Sequence, residues 1–110
     1  IEVDIGGLDV DPATGLFYGV SDDTDTRGIN VIDIVADTTA MIAPYPGTIS
    51  DVDGCAFNPN GTFYLIQDEA QPIDVYDLAT NAYTGTLPTA IAVPNTFSGG
   101  TFSDLINGPT

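Results

Sequence analysis

Apolar residues fall in short clusters along this chain, not at helical spacing. Phe17-Tyr18-Gly19-Val20, Ile29-Asn30-Val31-Ile32, Phe63-Tyr64-Leu65-Ile66 and Ile73-Asp74-Val75-Tyr76 are each bounded by Gly, Pro, Asp or Asn. No stretch keeps a 3.6-residue period without a Pro, a Gly or a β-branched cluster, so helix is not expected. The pattern predicts strands at Leu8–Val10, Leu16–Ser21, Ile29–Ile34 and Thr39–Ala43, and again at Thr62–Gln67, Ile73–Leu78 and Tyr83–Leu87. Turns are expected where Pro12 precedes Gly15 and Pro59 precedes Gly61, and at Ala36-Asp37-Thr38 and Thr80-Asn81-Ala82, because these residue types supply the backbone angles of turns.

The two sets of strands are two copies of one unit. Asp4 to Pro12 aligns with Asp51 to Pro59, Gly15 to Asp22 with Gly61 to Asp68, and Ile29 to Ile34 with Ile73 to Leu78. The offset shrinks from 47 (Asp4 to Asp51) to 46 (Phe17 to Phe63) to 44 (Asp33 to Asp77), and both losses fall in turns. The organisation expected is a first repeat at 1–47, a second at 48–88, and a linker with a terminal strand at 89–110. Within that tail, Ser98-Gly99-Gly100-Thr101-Phe102 faintly echoes Ile5-Gly6-Gly7-Leu8, as if a third unit began.

The second strand of each copy is apolar on both faces, as in a sheet covered on both sides. Four-stranded antiparallel units of this length, stacked face to face, are β-propeller blades. The all-β alternative is an eight-stranded β-sandwich that arose by duplication. Residues 7–18 and 54–64 carry a further resemblance. Their Gly-hydrophobic-x-hydrophobic-Asp/Asn-Pro-x-x-Gly opening, followed by third strands such as Val31-Ile32-Asp33-Ile34, resembles the secreted β-propeller repeats known as YVTN-like or SMP-30-like. The resemblance covers residues 4–88 and implies blade architecture. It is nearly silent on function, because propellers host enzymes, lectins and scaffolds alike. Complete propellers have about four to eight blades, whereas only two are legible here.

Composition narrows the chemistry. In 110 residues there are 16 Asp and Glu against one Arg (Arg27), no Lys and no His, for a formal charge of −15. Nucleophilic triads and dyads that need His cannot be built from this chain. A nucleic-acid partner requires a basic stripe, and an anionic membrane surface requires basic residues, so neither is expected. No apolar run approaches the roughly 20 residues of a membrane-spanning helix. The lone Cys55 excludes an internal disulfide and sits in an apolar stretch, as a buried inert thiol does. The chain starts at Ile1 with neither Met nor a signal peptide, which suggests a processed product or an excised portion.

Most acidic residues have structural explanations. Asp9, Asp11 and Asn58 belong to the Pro turns, and Asp33 and Asp77 close third strands. Two denser groups stand apart: Asp22, Asp23 and Asp25 with Asp68 at the equivalent place in copy two, and Asp51 with Asp53. Closely spaced carboxylates need solvent or a hard cation, and Ca2+ is the metal that suits an oxygen-only donor set. The EF-hand pattern fails, since the fifth position from Asp23 is Arg27 and the twelfth is Ile34. The competing reading is a solvated acidic rim. Asn60-Gly61-Thr62 is a formal glycosylation sequon, although Asn-Gly is also what the turn requires.

The function these features lead us to expect is a non-enzymatic, extracellular structural module. It would self-assemble as a homo-oligomer or filament through its sheet edges and the 97–110 tail. The alternative is two blades of a larger secreted propeller that binds a ligand or hydrolyses a glycan.

Overall fold

The computed structural model describes residues 5–47, 49, 51–67 and 72–87, and these form eight strands. They are β1 (Ile5–Val10), β2 (Phe17–Ser21), β3 (Gly28–Asp33), β4 (Thr38–Ala43), β5 (Val52–Asn58), β6 (Thr62–Gln67), β7 (Ile73–Asp77) and β8 (Ala82–Leu87). Each repeat is one antiparallel sheet of four strands in chain order, β1-β2-β3-β4 and β5-β6-β7-β8. These are two propeller-type blades. β1 begins at Ile5 and not at Leu8, because Ile5 and Gly7 pair with Ser21 and Val20 through the backbone, which leaves no apolar alternation to read. The expected terminal strand within 89–110 lies outside the described residues.

The repeat recurs at the level of dihedral angles. Asp37 and Asn81, equivalent residues of the β3–β4 and β7–β8 turns, have φ of 56° and 54°, a left-handed conformation that short polar side chains tolerate. The first strand of each blade carries a bulge, between Ile5 and Gly7 and between Val52 and Gly54. Gly28 has φ of 144°, and a Cβ there would run into the Ala43 carbonyl of the neighbouring strand. Only glycine lets β3 and β4 close at that end.

The blades stack front to back. β1 and β2 of the first blade pack on β5 of the second. Cross-strand partners share a face, so Asp9, Tyr18 and Val31 lie on one side of blade 1, while Val10, Phe17 and Ile32 lie on the other. The Tyr18 side faces blade 2. The core forms between the sheets, from Val20, Ile29 and Ala43 of blade 1, Tyr45 of the connection, and Val52, Cys55, Phe57, Phe63, Leu65 and Tyr76 of blade 2. Of the four aromatic residues whose clusters suggest burial, Phe63 is fully buried, whereas Phe17, Tyr18 and Tyr64 are half-buried. Two blades enclose one interface, and the outer faces keep part of their apolar surface in water.

Candidate functional site at the blade junction

Polar and aromatic contacts hold the junction in register. The Tyr18 ring stacks on Phe57 at 5.2 Å with 5° between planes, and meets Phe63 at 5.9 Å in a tilted arrangement. The Asp9 carboxylate accepts a hydrogen bond from the Phe57 backbone N–H at 2.7 Å. Such charge-assisted bonds are short and among the stronger ones. The inner strands approach closely at Gly7 and Gly54, equivalent residues of the two repeats, where a Cβ on Gly7 would lie 3.1 Å from the Gly54 Cα. At the outer side, the Tyr83 hydroxyl donates to the Pro44 carbonyl at 2.6 Å.

At one end of this junction three carboxylates converge. Asp22, just past β2, meets Asp51 and Asp53 at the start of β5, with ligand oxygens all within 4.8 Å of one another. The two acidic groups that the sequence keeps separate thus supply one cluster, in part. Three local features place it. The Val52 N–H donates to Asp22 Oδ1 at 3.1 Å, across the blades. The bulge between Val52 and Gly54 holds Asp53, and a bulge re-aims the side chain it carries. Arg27 donates from Nε and Nη2 to the Asp22 carbonyl at 3.1 and 3.0 Å, pinning the loop backbone.

Asp23 and Asp25 are exposed on the same loop and do not belong to the converging set. Asp68 lies outside the described residues. Beside Asp22 stands Tyr45, whose buried hydroxyl completes no hydrogen bond. Its pKa is raised far above the usual tyrosine range, first by burial and then by the charge of Asp22. The phenol therefore stays neutral and faces the carboxylate without an aligned bond to it.

Among the described residues, several other acidic side chains serve turns or the junction. Asp11 accepts from Ala13 N–H and Thr14 Oγ1, Asp33 from Ala36 N–H, and Asp77 from Ala79 N–H and Thr80 Oγ1. Asn60 accepts from Thr62 N–H within its turn. Cys55 is buried, with its thiol pushed up to about 12 by burial and secondarily by the Asp9 charge, which makes it a poor nucleophile. Sequence reasoning assigns Asp9 to a turn and misses its bond across the junction. It also passes over Tyr45, whose Pro-Tyr-Pro-Gly setting shows no periodic signal of burial.

No protein-family model matches the chain, and no curated protein matches it. Solved structures do. The structure of U3-55K matches with a TM-score of 0.66 and 17% identity, over 93% of this chain and 31% of that one. The WD40 repeats of RRP9 match with a TM-score of 0.63 and 17% identity, over 93% of this chain and 30% of that one. The chain spans under a third of the structures it matches. At this identity the likeness shows the fold alone, a propeller-type blade pair, and the neighbours are WD40 proteins, not the secreted YVTN-like or SMP-30-like kind. The expectation of an extracellular, secreted location is overturned by the same finding, since it drew on a likeness to secreted blades and the structures matched are WD40 proteins instead. The physical reason is that the Gly-hydrophobic-Pro-Gly blade opening answers to strand and turn geometry, which is the same in every compartment. What the chain is similar to is two consecutive blades of a WD40-type propeller.

Proposed function

We propose that this chain is a non-enzymatic assembly module whose blades continue a stack with blades of the same kind. The observation that carries it is a difference in burial between equivalent residues. Cys55 and Phe57 of blade 2 are 2% and 6% exposed where they meet blade 1, while their counterparts Leu8 and Val10 are 52% and 36% exposed. Met41, 48% exposed, and half-buried Phe17 and Ile32 lie on that same outer face. Among the described residues, no blade covers the apolar side chains that the back of blade 1 carries. Exposed apolar surface of this kind marks interaction sites. The matching occupant is the front of a blade like blade 1, which Tyr64 and Val75 offer on the outer side of blade 2. A second copy can supply it head to tail, and such contacts close into a ring or run on as a fibre.

Sedimentation of the 110-residue chain over a range of concentrations tests this. Species heavier than the 11.4 kDa monomer are expected, and Leu8→Asp with Val10→Asp should dissociate them while leaving the β-sheet circular dichroism intact. A folded monomer at every concentration would sink self-assembly. It would favour instead the alternative that the missing blades belong to the same polypeptide, to which the coverage of under a third of each neighbour also lends weight.

A further inference from the structure

We propose that Asp22, Asp51 and Asp53 bind one Ca2+ that ties the two blades together, with the Tyr45 hydroxyl at its edge. The site stands independently of the assembly reading, because all its residues lie at the junction within one chain. Calcium holds oxygen ligands at about 2.3–2.6 Å, so two oxygens on one ion lie at most about 5 Å apart. The three carboxylate oxygens lie within 4.8 Å of one another, close enough for one Ca2+ to reach all three. Zinc and copper are disfavoured by the donors, since the chain has no His and its one Cys is buried in the core.

Tyr45 points to a ligand independently of the carboxylates. The residue is 6% exposed, and its hydroxyl oxygen is sealed from solvent with no hydrogen-bond partner. A buried polar atom left unsatisfied is costly, and this one adjoins the Asp22 carboxylate. A neutral oxygen beside one of the three carboxylates adds a donor of the kind hard cations accept. The Val52 N–H to Asp22 Oδ1 bond already joins these segments. A cation shared by Asp22 of blade 1 with Asp51 and Asp53 of blade 2 adds a further tie and offsets the repulsion among the three charges. At the equivalent bulge of copy one stands Gly6, so this donor set is particular to the one junction.

The test is calorimetric titration with CaCl2 and thermal melting in CaCl2 against EDTA, at matched ionic strength. CaCl2 should raise the melting temperature and EDTA should reverse the rise. In Asp51→Asn with Asp53→Asn, the affinity should fall by about tenfold or more, about 1.4 kcal/mol. The metal-free melting temperature of that variant should stay level or increase, because like charges have been removed. Asp23→Asn with Asp25→Asn should bind as the unaltered chain does. Tb3+ emission excited through tyrosine locates the ion without touching a carboxylate, and it should drop in Tyr45→Phe. No calcium-dependent shift in the unaltered chain, a shift that survives Asp51→Asn with Asp53→Asn, or terbium emission undiminished in Tyr45→Phe would each overturn the assignment.

Discussion

Asn30 and Asp74 occupy the same place in the third strands of the two blades, and one atom separates a satisfied residue from a strained one. The Asn30 amide donates to the Thr26 and Gly28 carbonyls at 3.0 and 3.2 Å. An ionised Asp74 has no donor to offer, it is 7% exposed, and its Oδ2 is buried without a partner. Burial raises its pKa. A carboxyl whose folded pKa exceeds its unfolded value binds its proton more tightly in the folded state. Its contribution to stability is therefore present below the unfolded pKa, about 3.9, and is lost as pH rises through the folded value. Asp74→Asn should stabilise the chain at neutral pH by about 1 kcal/mol, the cost of one buried unsatisfied group. That gain should shrink near the unfolded pKa. Urea midpoints of both proteins at the two pH values decide it, and a gain independent of pH would rule out Asp74 as its source.

At the scale of elements, Phe17 and Phe63 show how equal sequence becomes unequal structure. Both stand near the start of a second strand in the same repeat position, and both pair with a third-strand residue, Ile32 and Tyr76. Phe63 is 0% exposed because blade 1 covers it, while Phe17 lies half-buried on the uncovered back of blade 1. Phe63→Ala should cost about 3–5 kcal/mol, the range for emptying a well-packed aromatic site. Phe17→Ala in the monomer should cost clearly less. Chemical denaturation compares them directly, and equal losses would mean that blade 1 has a covering neighbour on its back. Strand existence and turn position were legible because period and turn chemistry are local. Burial was not, since it depends on which face meets another blade.

For the whole molecule, the core belongs to neither blade alone. Val20 and Ile29 from one sheet pack with Val52, Phe57 and Phe63 from the other, and the acidic cluster likewise draws on both. A blade on its own would expose its half of that surface, so the two should unfold together. Scanning calorimetry should give one transition with calorimetric and van't Hoff enthalpies in agreement, the mark of two-state unfolding. Two resolved transitions would show the blades to be independent units.

From the sequence by itself came the repeat, the four-stranded unit, the turns at Asp37 and Asn81, and the acidic residues from which a cation site could be drawn. All of these rest on interactions between residues close along the chain, where spacing and residue type carry the information. Only the tertiary structure decided that Asp22 meets Asp51 and Asp53 while Asp23 and Asp25 do not, that Asp9 bonds to Phe57, and that Tyr45 is buried beside Asp22. Those pairings span 23 to 48 residues (Asp22 to Tyr45, Asp9 to Phe57). They depend on the blade-to-blade step and on a bulge that turns Asp53 out of the ladder, and no local pattern encodes either.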